Sequence, residues 1–167
     1  MGDDASATAS PALSDVLDRR AIALAEAYPD REAAVRRCGD LLVAGGRVDP
    51  AYTDEMLAVL AQYGPYIVLA PGIALAHARP SPAVRDVAFS LLTVDPPIAF
   101  GHPENDPVTL VIGMAAPNDE AHVDALRQLA ELLADDARRT RLLGASSVDE
   151  VMEIVARPDP GESRGQS

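Results

Sequence analysis

Apolar positions along this chain change period several times, and each change marks an element. Residues 13–17 carry a short helical pattern, and the alanine-rich run 21–27 reads as a strand. Asp30 is placed to cap a helix that reaches Ala44, with Ala34, Val35, Cys38, Leu41 and Leu42 on its buried stripe and Gly45-Gly46 at its end. Asp49-Pro50 opens a second helix, with Tyr52, Met56, Val59, Leu60 and Tyr63 at helical spacing, and Gly64-Pro65 closes it.

The pattern then shortens to that of strands. Residues 66–70 form the first clear one, and the apolar run continues past a bend at Pro71-Gly72 to end at His77. Residues 83–94, with Val87, Phe89 and Leu91 alternating, and residues 109–116 give two more. Pro96-Pro97 and the stretch 101–107 mark loops. Helical spacing returns with Asn118 or Asp119 as cap and His122, Leu126, Leu129 and Leu133 along the helix. A further turn spans 135–143, and Ser147 caps a last helix through Ala156. Helices, strands and helices in this order predict an α/β fold, a mixed β-sheet flanked by helices on both faces, in a single domain.

Composition sharpens that picture. A chain of 167 residues with 48% hydrophobic positions is long enough for one proper core. Aromatic residues make up 4% and Trp is absent, so the core is expected to be aliphatic. The ends, 1–12 and 157–167, are small, polar and charged; they read as disordered tails around a domain at 13–156. A net charge of -12 argues against nucleic acid as a partner. All fourteen basic residues are Arg, which excludes any lysine chemistry. Cys38 stands alone and no leader or long apolar segment is visible, so a cytoplasmic protein not inserted in a membrane is expected.

The candidate chemistry lies in three histidines. His77 ends an apolar strand, His102 sits in a loop, and His122 lies in the first turn of a helix. A helix start carries positive partial charge and spare N–H groups, which favour a bound anion and keep a nearby imidazole neutral and nucleophilic. If that start faces His77, the imidazole of His77 can attack a phosphoryl group while His122 and backbone donors hold its oxygens. Arg79 can offer a forked cation to the same oxygens. Plainer readings stand beside these. His77 can be a hydrogen-bonded structural residue, the three histidines a zinc site, and Arg79 a surface ion-pair partner of Asp86. Asp95, Glu104 and Asp106 can be paired carboxylates or an acidic solvated loop. No pair of histidines has short ligand spacing, and no phosphate-binding glycine loop, G-x-S-x-G elbow or C-x-x-C is present, so no metal and no cofactor is expected.

Pro71-Gly-Ile-Ala-Leu-Ala-His77-Ala-Arg-Pro80, then Phe100-Gly-His-Pro-Glu-Asn-Asp-Pro107, Val111-Ile-Gly-Met-Ala-Ala116 and the His122 helix follow one another in a specific order. This set resembles the enzyme IIA component of the bacterial sugar phosphotransferase system (PTS EIIA type-2), mannitol/fructose type, over residues 13–156. Tyr63-Gly-Pro-Tyr-Ile-Val-Leu-Ala-Pro-Gly72 and the Glu-Asn-Asp-Pro loop are most similar to its ascorbate branch. The resemblance implies His77 as phosphoacceptor and His122 as the second active-site histidine. It implies a phosphotransferase that takes phosphate from the carrier HPr and passes it to a cysteine of a cognate enzyme IIB, coupled to sugar uptake by a membrane enzyme IIC. Cys38, on a core stripe, is not that cysteine. The same fold phosphorylated at His77 as a regulatory or binding module, without transport, is the alternative. One departure stands out: mannitol-type members carry an arginine on the helix before the active-site strand, where Met56-Leu-Ala-Val-Leu60 is wholly apolar.

Overall fold

The computed structural model describes residues 12–156, so the expected tails lie outside the described residues apart from Ala12. The elements, in chain order, are α1 (Leu13–Val16), β1 (Leu17–Glu26), α2 (Arg31–Ala44) and α3 (Ala51–Tyr63). A 3-10 turn (Gly64–Ile67) leads to β2 (Val68–Ala70), β3 (Ile73–His77), β4 (Ala88–Ile98) and β5 (Val108–Ala115). Three helices follow: α4 (Asp119–Ala134), α5 (Asp136–Leu143) and α6 (Val148–Val155).

The strands form one five-stranded sheet in the order β1-β4-β5-β3-β2. β1 runs parallel to β4 and β3 parallel to β5, while β4–β5 and β2–β3 are antiparallel. The mixed sheet expected from the sequence is therefore present. Side-chain alternation divides its core in two. On β3, Ala74 and Ala76 face the cluster that holds Val35, Leu42, Tyr52 and Met56 of α2 and α3. Ile73 and Leu75 face the other cluster, with Leu129 of α4, Leu142 of α5 and Ile154 of α6. Helices thus cover both faces.

Caps fall where short polar residues were expected to supply them. Asp30 accepts the Ala33 N–H at 2.9 Å, Asn118 that of Ala121 at 2.9 Å, and Ser147 that of Glu150 at 3.1 Å. Between β2 and β3 the chain reverses at Gly72, whose φ of 77° is a conformation glycine adopts without a Cβ penalty.

Several local expectations need correction, the first being that β1 already begins at Leu17, which the sequence pattern placed in a helix, and not at residue 21. Tyr66 and Ile67 lie in the 3-10 turn rather than in a strand, since Pro65 at its start fixes a helical φ and removes a donor. β4 begins at Ala88, not at residue 83; upstream, Val84 makes a lone antiparallel bridge to Val48. It also continues through Pro96-Pro97 to Ile98, with a register break between Thr93 and Ile98 that lets the prolines sit outside the ladder.

Candidate functional site

Period-2 alternation along β3 decides where His77 points. Ile73 and Leu75 face the α4 side, so the next residue of that set, His77, projects toward α4 at the strand's C-terminal end. Its four predecessors are buried and His77 itself is half-buried. On α4, His122 lies in the first turn, and its N–H bonds Asn118 O at 3.0 Å. The two imidazole centroids are 5.4 Å apart with planes tilted by 43°. The facing arrangement anticipated from sequence is therefore in place.

The electrostatics favour a neutral imidazole at His77. Burial first, then the neighbouring His122, pulls the His77 pKa below its ordinary value. The Nδ1 atoms of both rings are buried and make no close hydrogen bond among the described residues, while the Leu75 backbone interacts with the His77 ring and partly offsets the downward pull on its pKa. His77 lines the cleft, so Nε2 is its approachable nitrogen.

The cleft has a volume of about 850 Å³. His77 and Arg79 line it from the end of β3, and Asp119 and His122 from the start of α4. The third wall is one face of α3: Glu55, Ala58, Val59, Gln62 and Tyr63. The resemblance implied that this helix reaches the site around residues 56–60, but Glu55, Gln62 and Tyr63 as lining were not anticipated, although spacings of three and four residues mark a single helix face. Such a pattern on a helix normally means solvent, which hides it. Tyr63, placed on the buried stripe by spacing, is 48% exposed and turned to the cleft. Val59 and Ala58 occupy this wall, so α3 contributes no arginine to the site.

Arg79 is exposed and makes no ion pair among the described residues; the Asp86 carboxylate instead accepts the Val87 N–H at 2.8 Å. The guanidinium is thus unclaimed by the proposed surface pair and borders the cleft.

His102 is not part of this site. Its Nδ1 accepts N–H bonds from Glu104 at 3.1 Å and Asn105 at 2.9 Å. Asp106 accepts three more, from Phe100, Gly101 and His102, at 2.7–3.2 Å. These side chains build the loop, and no group of three or more metal-binding side chains occurs among the described residues. Cys38 is fully buried with Sγ 3.4 Å from Val111 O, and its thiol pKa is pushed up to about 12, mainly by burial. Tyr52, on the core side of α3, reaches the backbone beside His77: its hydroxyl accepts the Ala78 N–H at 2.8 Å.

Residues 15–157 match the sequence model of the family described as phosphoenolpyruvate-dependent sugar phosphotransferase system, EIIA 2. The ascorbate-specific PTS system EIIA component of Salmonella typhimurium (strain LT2) is 39% identical over 127 residues, covering 75% of this chain and 82% of that protein. The corresponding protein of Escherichia coli K12 is 38% identical over 127 residues, with the same coverage. Among solved structures, the mannitol-specific cryptic phosphotransferase enzyme IIA of Escherichia coli superposes with a TM-score of 0.78 at 28% identity, covering 89% of this chain and all of that one. The complex of enzyme IIAMTL and phosphorylated enzyme IIBMTL from the same organism gives 0.72 at 32% identity, covering 82% and 94%.

Proposed function

The chain belongs to the EIIA 2 family of the phosphoenolpyruvate-dependent sugar phosphotransferase system, and on that premise we propose that it is a phosphohistidine carrier with His77 as acceptor. The observation that carries this reading is the pairing of a half-buried imidazole, disinclined to take a proton, with a second imidazole 5.4 Å away in the first turn of α4. Phospho-HPr brings a phosphoryl group on a histidine nitrogen. The Nε2 lone pair of His77 forms the new P–N bond while the donor's P–N bond breaks, its electron pair returning to the donor ring. The His77 proton stays on buried Nδ1.

The helix start stabilises the charge on the moving group. Asn118 caps the N–H groups of Ala121 and His122, and those of Asp119 and Glu120 have no partner among the described residues. Together with His122 and Arg79, which line the same cleft, they are the donors this reading assigns to the phosphoryl oxygens. The second transfer reverses the first: a thiolate of enzyme IIB forms the P–S bond and the pair of the breaking P–N bond restores His77. The ascorbate-specific relatives support uptake of ascorbate or a related sugar through a membrane enzyme IIC, with this chain acting in the cytoplasm. Among the described residues no helix is long and apolar enough to cross a membrane.

Phosphoenolpyruvate, enzyme I, HPr and the purified protein are expected to give a mass gain of one phosphoryl group that is absent in His77→Ala. Labelling that survives the substitution refutes the assignment. Adding an ascorbate-type enzyme IIB and membranes bearing its enzyme IIC should yield phosphorylated ascorbate, and failure with ascorbate but success with another sugar reassigns the substrate.

A further inference from the structure

Tyr52 is fully buried, and its ring crosses the core from α3 to the place where β3 stops. Its hydroxyl accepts the Ala78 N–H at 2.8 Å and lies 2.9 Å from Met114 O and 3.1 Å from Ala78 O. These partners bracket the site: Ala78 follows His77, and Met114 is the residue paired with His77 across the β3–β5 ladder. The ladder ends at that pair. Beyond it a single hydroxyl satisfies a buried N–H and a buried carbonyl from both strands, so the strand ends need not close on each other.

We propose that Tyr52 is a positioning residue for phosphoryl acceptance, holding the backbone on both sides of His77 so that Nδ1 stays buried and Nε2 faces the cleft. The inference rests on the reading of His77 as acceptor. Tyr52 acts through the backbone, because its side chain packs in the α2–α3 core while His77 projects from the opposite face of β3. Burial pushes the hydroxyl's pKa up to about 12, so it keeps the proton that lets it donate and accept together. Met114 O and Ala78 N are buried with their residues, and removal of the bridge leaves both groups to find each other directly. Such closure draws Ala78 inward and turns the ring of the preceding residue.

The test compares Tyr52→Phe with Ser90→Ala. Ser90 is a matched control: also fully buried, its hydroxyl bonds Cys38 O at 2.9 Å, and it neither lines the cleft nor touches the backbone of His77 or Ala78 through that bond. Both variants are assayed for folding by circular dichroism, for the rate of phosphoryl acceptance from phospho-HPr, and for the ring nitrogen resonances of His77 in the free protein. Tyr52→Phe should fold, shift the His77 resonances and slow acceptance roughly 10- to 100-fold, as sub-ångström to ångström misplacement of a reacting group does; Ser90→Ala should do neither. Wild-type rates and resonances in Tyr52→Phe, or equal changes in Ser90→Ala, overturn the proposal. If Tyr52→Phe does not fold, 3,5-difluorotyrosine at position 52 retains the ring and alters the hydroxyl; unmoved His77 resonances then overturn it. Failure of the wild type to accept phosphate overturns the acceptor reading alone, since the resonances report on the hold over His77 with no donor present.

Discussion

Replacing Gly39 with alanine sets two physical effects against each other. Gly39 lies inside α2, where a glycine costs a helix roughly 1 kcal/mol relative to alanine, so propensity alone favours the change. Space decides otherwise. A Cβ at this position would stand 2.5 Å from Oγ1, 2.7 Å from Cγ2 and 2.9 Å from Cβ of Thr53, on α3. Thr53 is buried and β-branched, so its side chain has little freedom to swing away. With three atoms in conflict the steric term lies at or above the top of the usual overpacking cost of roughly 1–3 kcal/mol, at about 3–4 kcal/mol. Subtracting the helical gain leaves a net loss of about 2–3 kcal/mol. For a domain of this size that lowers Tm by roughly 5–10 °C.

The assay is urea unfolding followed by far-ultraviolet circular dichroism, because the chain has no tryptophan to report by fluorescence. Thr53→Ala alone removes a buried hydroxyl that has no partner among the described residues, and should cost under about 1 kcal/mol. The double variant removes the two nearest clashing atoms and should recover about 2 kcal/mol relative to additivity. A Gly39→Ala protein as stable as the parent, or a double variant whose effects simply add, refutes the argument. Thr53 adjoins Tyr52, so the same substitution should also slow phosphoryl acceptance by moving α3 off the sheet.

Stability should fall as pH drops below the ordinary histidine range, because the unfolded chain takes up a proton that folded His77 resists; His77→Gln should flatten this slope, and an unchanged slope shows the loss arises elsewhere. Cys38 should ignore a disulfide reagent such as Ellman's in the native protein and react fully in urea, whereas a fast native reaction contradicts its burial. Asp106→Ala removes the acceptor of three backbone N–H groups and should cost roughly 2 kcal/mol, with faster hydrogen exchange at Phe100, Gly101 and His102. His77 should still accept phosphate in that variant, because the Asp106 loop meets β3 at its opposite end, where Asn105 O accepts the Gly72 N–H at 2.9 Å.

Helix limits were legible wherever a short polar residue precedes an apolar stripe, as at Asp30, Asn118 and Ser147, because capping is local chemistry. Strand limits were less so. Pro96-Pro97 reads as a loop by intrinsic preference, and only the β5 partner beyond it, Val108 opposite Ile98, carries the strand through. His77 and His122 were each conspicuous, but their meeting depends on which face of β3 the histidine takes and on where α4 begins, facts of tertiary packing. The polar lining on α3 was hidden for a related reason: Glu55 and Gln62 look like any solvated helix face until the strand end opposite them is known. Tyr52 read as one more core residue because spacing reports burial and says nothing about where a hydroxyl goes.

The strand order β1-β4-β5-β3-β2 has a consequence for a chain still being made. His77 leaves the ribosome before either β5 or α4 exists, and β2, a three-residue strand, is the one sheet neighbour already available to β3. Two short adjacent strands do not hold together in water without further partners. The backbone on which the imidazole depends waits for Met114, and its companion ring for His122. A fragment that stops short of α4 therefore carries the proposed acceptor without the helix start that faces it in the finished fold, and is expected not to take phosphate from phospho-HPr.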